Sequence, residues 1–510
     1  MKENGASALS DGAIVTAELF GDTVYTDVSE EFVLPDYEPE ISRILRCTAR
    51  VLPAGKFIGG GRAEFAGSVV YELVYAGDGG ACASAVLSSD YEFAVPMGAE
   101  GDVAVYEEPE PDTVICRPTA PRRVQFRTKL KSRINLFAGM PLPHCDAPEG
   151  TELLTTSAVG CRVRRFTSGE FSLTEMLSGI TGKPIACDGS VSVSEMRAEE
   201  GRIHCRGELW ARILFGGEML SCMEKRIPFE REIEAPGLDG GWSCRALPRC
   251  WSCEISGDTG NGEATLTAVA EIDAECCRNL PVRLTVDAFI PGSDAAAERD
   301  RTELADCRVC RSFSVTVSGS KPLTPEAAGI TEVCGVCGDV SLGTPELSGG
   351  HASFSGTLTL YGILCGNNGS GGEALPLRME IPFKAVCDAE GDAKNANLCG
   401  AWSASLIGAR FRVERGTVSC DAEVAVTARV AEKRTVQTLC SVVRGETQEK
   451  PDYYGMKVVY PAPDETLWQI AKRYGTPLAR VIQLNRLGTD VAESPDNTHS
   501  LDGIAALLIG

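Results

Sequence analysis

The sequence predicts a mainly β protein: tandem antiparallel β-rich modules followed by a small α+β domain of order β-α-α-β. Three observations carry this. One pattern of segments recurs three times, long helical periodicity is missing from residues 1–445, and an amphipathic helical pattern begins only after Tyr454.

The repeat is read from paired segments. Ala49–Val51 is followed by Gly67–Tyr75, Val191–Ser194 by Gly207–Phe215, and Gly338–Ser341 by Gly356–Leu364. Each pair is a short strand, a stretch of small and polar residues, then a glycine opening a strand of alternating apolar residues. The glycines Gly67, Gly207 and Gly356 stand 140 and 149 residues apart. A second strand with a central Phe follows in Tyr91–Phe93, Ile227–Phe229 and Ile381–Phe383. A long strand closes each copy: Val124–Leu136, Ala264–Ala274 and Cys420–Val430. Strict period two gives one buried and one wet face, which is the pattern of an antiparallel sheet. The anchors place modules at residues 10–140, 155–292 and 301–444. Met140–Pro148 reads as a linker, and Gly445–Asp452 as a polar lead into a terminal domain at 456–510.

Composition narrows the function. The chain has 510 residues and a formal charge of −22, from 71 acidic and 49 basic residues. That balance argues against broad nucleic-acid or anionic-membrane binding, which use basic surfaces. No apolar run is long enough to span a bilayer, and Ile504–Ile509 is among the longest. The opening Met1–Gly5 is not followed by an apolar signal core, so a cytosolic protein is expected. The 22 cysteines are then expected as reduced thiols that fill cores, with crosslinking in an oxidised shell as the alternative.

Sites for chemistry are few. Three Cys-x-x-Cys pairs occur, Cys250/Cys253, Cys307/Cys310 and Cys334/Cys337. The Cys307 pair enters a strand, where positions i and i+3 point to opposite faces. Cys334 has counterparts at Cys47 and Cys187, which marks a shared core position. Histidines His144, His204, His351 and His499 are scattered, and Pro184 after Gly182-Lys183 spoils a phosphate loop. The reading assigns no catalytic residue, no cofactor and no metal. The stripe Arg127, Lys129, Lys131, Arg133 is expected to be a solvated sheet face rather than a dock for an acidic partner.

The terminal domain reads element by element. Val458–Tyr460 is a strand, and Asp464 is placed to cap a helix. Leu467, Ile470, Ala471 and Tyr474 form its apolar face at i, i+3, i+4 and i+7. Gly475 suits the left-handed exit. Thr476 caps a second helix with Pro477 at its first position and Leu478, Val481 and Ile482 inward, ending near Asn485. Leu507–Ile509 closes the sheet.

Thr466–Tyr474, reading Thr-Leu-Trp-Gln-Ile-Ala-Lys-Arg-Tyr, followed by Leu484-Asn485, resembles a LysM domain. The resemblance implies binding of N-acetylglucosamine-containing glycans such as peptidoglycan. The groove would lie between the loop entering helix one (Asp464, Glu465, Thr466, Leu467) and the loop entering the last strand (Pro495, Asp496, Gly503). Two departures fall there. The family's Gly-Asp-Thr is Asp464-Glu465-Thr466, and the stretch from Asn485 to Gly503 is long for the family, so weak peptidoglycan binding is expected. Trp468 is expected in the domain core.

Leu34–Leu45, with the glycine-strand-loop-Phe pattern in three copies, resembles the spore-coat-associated SPOCS module. Several such modules with a terminal LysM resemble the SipL-like family of spore-forming clostridia. That resemblance implies a non-enzymatic scaffold in the mother-cell cytosol, at the forespore surface. Its LysM would dock on the ATPase of the coat basement layer, and its modules would gather other coat proteins. The alternative is a peptidoglycan-binding protein of the wall or spore cortex.

Overall fold

The computed structural model describes residues 14–78, 80–96, 103–180, 182–216, 220–257, 262–327, 329–366, 374–390, 397–447, 455–462, 465–487, 501 and 504–510. In the first repeat, six strands form two three-stranded antiparallel sheets. Strands β1 (Ile14–Val33), β6 (Arg123–Pro141) and β5 (Val103–Ala120) form one, with β6 central. The other is the meander β2 (Ile41–Gly59), β3 (Arg62–Gly77) and β4 (Cys82–Pro96), with β3 central.

The same wiring recurs twice. In the second repeat, β9 (Lys183–Glu199), β10 (Arg202–Gly216) and β11 (Ser221–Glu234) form the meander. Its partner sheet sets β13 (Glu263–Phe289) between β12 (Ser243–Ser256) and a broken outer strand. That outer strand is β7 (Glu152–Thr167) followed by β8 (Phe171–Ser178). In the third repeat, β20 (Thr417–Thr447) lies between β14 (Ser293–Pro322) and β19 (Asn397–Glu414). Its meander is β15 (Ile330–Leu342), β17 (His351–Gly366) and β18 (Ala374–Asp388), with the short β16 (Glu346–Ser348) also on β17.

Alternation does what the sequence pattern requires. Every even position from Val124 to Leu136, from Ala264 to Cys276 and from Val418 to Val430 is buried. The marker glycines lie five residues into β3, β10 and β17 and face Tyr91, Phe229 and Phe383 on the next strand. A Cβ on Gly67 would meet the Leu52 carbonyl at 2.7 Å and the Tyr91 ring at 2.8 Å. On Gly356 it would meet the Ser341 carbonyl at 2.7 Å and the Phe383 ring at 2.8 Å. Each glycine thus leaves the space that an aromatic ring fills across the strand. In the first repeat that ring is Tyr91, not the expected Phe93, which instead stacks on Phe65 at 4.9 Å. Phe93 lies two residues further along the same strand face, opposite Phe65 in the register.

Equivalent positions of the three repeats converge. Val74, Leu214 and Ile363 each come seven residues after a marker glycine, and all three are buried in one cluster with Leu45, Cys334 and Cys365. Beside it the Arg46 guanidinium donates to the Gly335 carbonyl of β15 at 2.7 Å. It also pairs with Glu72 of β3 and, at 2.8 Å, with Asp188 of β9. One side chain therefore touches all three repeats.

A second junction is charged. Asn135, Glu275 and Arg429 each come eleven residues after the first buried side chain of the alternating run (Val124, Ala264, Val418), and all three are buried. The Glu275 carboxylate accepts from Arg245 Nε and Arg429 Nε, both at 2.8 Å, and from Arg165 at 2.9 Å. Glu108 of β5 accepts from Arg245 at 2.6 Å and Arg165 at 2.9 Å. Burial alone would raise the Glu275 carboxyl, but the guanidiniums of Arg245, Arg429 and Arg165 outweigh it and hold the group well below the ordinary 4.5.

Three sequence expectations change here, and one finding is new. Arg127 and Lys129 are exposed, but Lys131 pairs with Glu110 at 2.7 Å, and Arg133 donates to the Trp402 carbonyl of β19 and sits 4.8 Å over its ring. The stripe is therefore half solvated, while Lys131 is paired within its own repeat and Arg133 makes a contact between repeats. Met140–Pro148 is not a free linker: Asp146 N–H donates to the Cys440 carbonyl at 3.0 Å, and the Asp146 carbonyl accepts from Val442 at 2.8 Å. Cys307 and Cys310 do not face opposite ways, because a bulge between Cys307 and Val309 buries both thiols with Cys161 and Cys277. Finally, the repeats pack side by side: Trp210 of β10 is buried within the core cluster of the third repeat.

Glu275→Gln leaves the buried Arg429 guanidinium without its bonded carboxylate, and Arg245 and Arg165 with Glu108 alone. The expected cost is about 3–5 kcal/mol at neutral pH, read from denaturant unfolding of the whole chain. The depressed carboxyl contributes fully above its ordinary value of 4.5, and this contribution is lost as pH falls from there through the folded value. The Gln variant therefore loses less further stability than the wild type on acidification.

Candidate functional site

The C-terminal domain follows the β-α-α-β order. Strands β21 (Lys457–Val459) and β22 (Leu507–Ile509) pair antiparallel, and α1 (Leu467–Arg473) and α2 (Leu478–Asn485) lie between them in sequence. Helix α1 begins with a capping box: the Thr466 hydroxyl accepts from Gln469 N–H, and the Gln469 side chain accepts from Thr466 N–H at 2.9 Å. The cap is thus Thr466 and not Asp464, because Gln469 stands at the third helical position after it. Helix α2 starts at Leu478, with Pro477 in the capping position and no side-chain cap, so Thr476 does not play that part. Gly475 has the expected positive φ of 59°.

Leu467, Trp468, Ile470, Ala471, Leu478 and Val481 are buried together with Leu507 and Ile509. Tyr474 is not on this face; it is exposed, with the Arg473 guanidinium 5.2 Å from its ring centre. Asn485 ties helix to sheet. Its amide donates to the Leu508 carbonyl at 2.8 Å and accepts from the Leu508 N–H at 2.6 Å.

Of the residues assigned to the groove, Glu465, Thr466 and Leu467 meet at the start of α1. Asp464, Pro495, Asp496 and Gly503 lie outside the described residues. The Glu465 carboxylate pairs with Arg473 at 2.7 Å and accepts from the Ala462 N–H at 3.1 Å. The Thr466 hydroxyl is engaged in the cap, and the Leu467 side chain is 2% exposed. All three side chains are engaged within the domain, Glu465 and Thr466 in hydrogen bonds and Leu467 in the core.

No sequence pattern indicates where the domain rests. Its core continues into the second repeat through Phe289 at the end of β13 and Leu154 of β7. Trp468 packs edge-on against Phe289 with ring centres 5.0 Å apart, and its indole N–H donates to Asp287 at 2.9 Å. Lys472 adds an ion pair to Asp287 at 2.6 Å. Burial would raise the Asp287 carboxyl, but its bonds to Lys472 and Trp468 prevail and lower it. A bulge between Thr285 and Asp287 shifts the register at this point, and nothing in the strand's alternation announces it.

Trp468→Ala is expected to cost about 3–5 kcal/mol in the terminal domain. Trp468→Phe keeps a ring against Phe289 and removes only the bond to Asp287, a loss of about 1.5–3 kcal/mol. Hydrogen exchange across residues 457–509 of the whole chain measures both.

Two family models match the chain. One, described as SipL, SPOCS domain, matches residues 182–249, which run through β9, β10 and β11 into β12. The other, LysM domain, matches residues 462–491, which hold α1 and α2. No curated protein and no solved structure matches the chain. Among the described residues, no helix is long and apolar enough to cross a membrane. Both matched domains are of binding or scaffold type; the first points to sporulation and the second to peptidoglycan binding. The chain therefore carries a SipL-type SPOCS domain in its second repeat and a LysM domain in its terminal module.

Proposed function

We propose that the chain is a non-enzymatic scaffold for spore-coat assembly, acting in the mother-cell cytosol at the forespore surface. Its LysM domain docks on the ATPase of the coat basement layer, with Asp464, Glu465, Thr466, Leu467, Pro495, Asp496 and Gly503 around the docking groove. Modules at 10–140, 155–292 and 301–444 offer surfaces to other coat proteins. The observation that supports this reading best is the seating of the LysM domain. Trp468 and Lys472 hold it to Asp287 on a body built from three interlocked repeats. A fixed mount presents the LysM groove and the repeat surfaces together, and linked weak contacts gain avidity when geometry lets them engage at once.

A second reading is peptidoglycan binding at the wall or cortex, favoured by the LysM match itself. Against it stands Glu465, a carboxylate among the residues assigned to the groove and already paired with Arg473.

Two measurements separate the readings. A tagged chain lacking residues 456–510 is expected to lose its place at the forespore in sporulating cells while its repeats stay folded. The purified whole chain is expected to sediment weakly with sacculi stripped of teichoic acid. Normal forespore placement of the truncated chain would contradict LysM docking. Tight sedimentation that is lost on truncation would establish the peptidoglycan reading instead.

A further inference from the structure

Most thiols in this chain behave as small core side chains, but one group differs. The ligand atoms of Cys222, Glu332 and Cys334 all lie within 4.8 Å of one another, the one such group of potential metal ligands among the described residues. Glu332 and Cys334 are two residues apart on β15 and so share a strand face. Cys365 of β17 pairs with Glu332 in the register and shares the buried cluster of Cys334, its thiol donating to the Ile363 carbonyl at 3.5 Å. Cys222 comes from β11 of the second repeat, where it faces Leu214, one of the three side chains at the apolar junction. Two thiols and one carboxylate from two repeats thus converge at one end of that junction, with Cys365 in the same buried cluster as Cys334.

Zinc suits such a set. It takes four ligands tetrahedrally and accepts thiolate sulfur at about 2.3 Å and carboxylate oxygen at about 2.0–2.2 Å. Two sulfurs on one zinc then stand about 3.8 Å apart, within the spread seen here. Cys334 and Cys365 are buried against Leu45, Val74 and Ile363, while Glu332 is exposed, so the group has a dry base and an open side for entry. The Arg46 guanidinium bonds the carbonyl of Gly335, next in the chain to Cys334, and places positive charge beside what would be an anionic centre. The Cys-x-x-Cys spacing is not used: Cys337 takes no part, because the bulge between Cys334 and Cys337 breaks the pattern.

We propose that Cys222, Cys334 and Glu332 bind one zinc ion, which staples the second repeat to the third, with the neighbouring Cys365 thiol turning from the Ile363 carbonyl to complete the set. The role is structural, since with Cys365 all four positions belong to the protein and none is left open for water or substrate. The thiols must release protons on binding. Metal binding therefore strengthens with rising pH.

The test uses the reduced whole chain titrated with cobalt(II), then zinc. The expected result is one equivalent of cobalt with thiolate-to-metal charge-transfer absorption and the strong visible bands of a tetrahedral site, both abolished by one equivalent of zinc. Cys222→Ser and Cys334→Ser should each weaken binding by more than the ~10–100-fold that outer-shell partners supply. Glu332→Gln, at an exposed position, keeps the fold and should weaken binding at least ~10-fold. Cys387→Ser, a buried thiol elsewhere in β18, should leave it unchanged. Absence of the charge-transfer band in the folded wild-type chain would overturn the proposal. So would a band indifferent to Glu332→Gln and Cys222→Ser, or a Cys222–Cys334 disulfide found by mass mapping of protein taken from cells.

Discussion

A single carboxylate, Glu275, lies where the long strands of the second and third repeats meet the first, bonded to Arg245, Arg429 and Arg165. Taking these groups out of water costs several kcal/mol per ion, and their mutual attraction offsets that cost only when every charge has its partner. Within the second repeat Glu275 keeps Arg245 and Arg165, but a different packing that still buried Arg429 or Glu108 would strip them of these partners. The network thus contributes modestly to stability but selects strongly among arrangements. Arg46 does the same at the opposite junction, through Gly335, Glu72 and Asp188.

The three repeats share a topology, yet they do not use their equivalent positions alike. At the charged junction the equivalent residues are Asn135, Glu275 and Arg429: one neutral, one negative, one positive. Identical residues there would repel or go unsatisfied. Divergence at matched positions turns three copies of one fold into an ordered set, each able to sit in one place only. At the apolar junction, where no charge must be matched, the equivalents Val74, Leu214 and Ile363 remain similar. The LysM domain extends the same logic, because Asp287 and Phe289 give it a seat that the other repeats do not offer.

Much of each repeat was legible in the chain. Period-two alternation marked the long strands correctly, since each has one face turned to a core, and the marker glycines located the central strand of every meander. The helical pattern at Leu467–Ala471 and the turn at Gly475 gave the terminal fold. What alternation could not show is the far side of a sheet. Arg133 and Lys131 occupy the same kind of outward position, but one meets Trp402 of another repeat and the other only its neighbour Glu110. Bulges were also invisible, and they turned Cys310 inward and moved Asp287 under Trp468. For the groove, the sequence named Glu465, Thr466 and Leu467 but not their internal partners Arg473 and Gln469, which depend on where α1 starts.

The central claim is that the repeats form one compact body and are not beads on a string. Small-angle X-ray scattering of the monomeric whole chain in solution tests it most directly. A compact body of this length has a radius of gyration of about 24 Å. A value near that, unchanged between low and moderate salt, agrees with interlocked repeats joined by buried charges. A markedly larger radius with the scattering profile of separate, jointed modules would contradict the account.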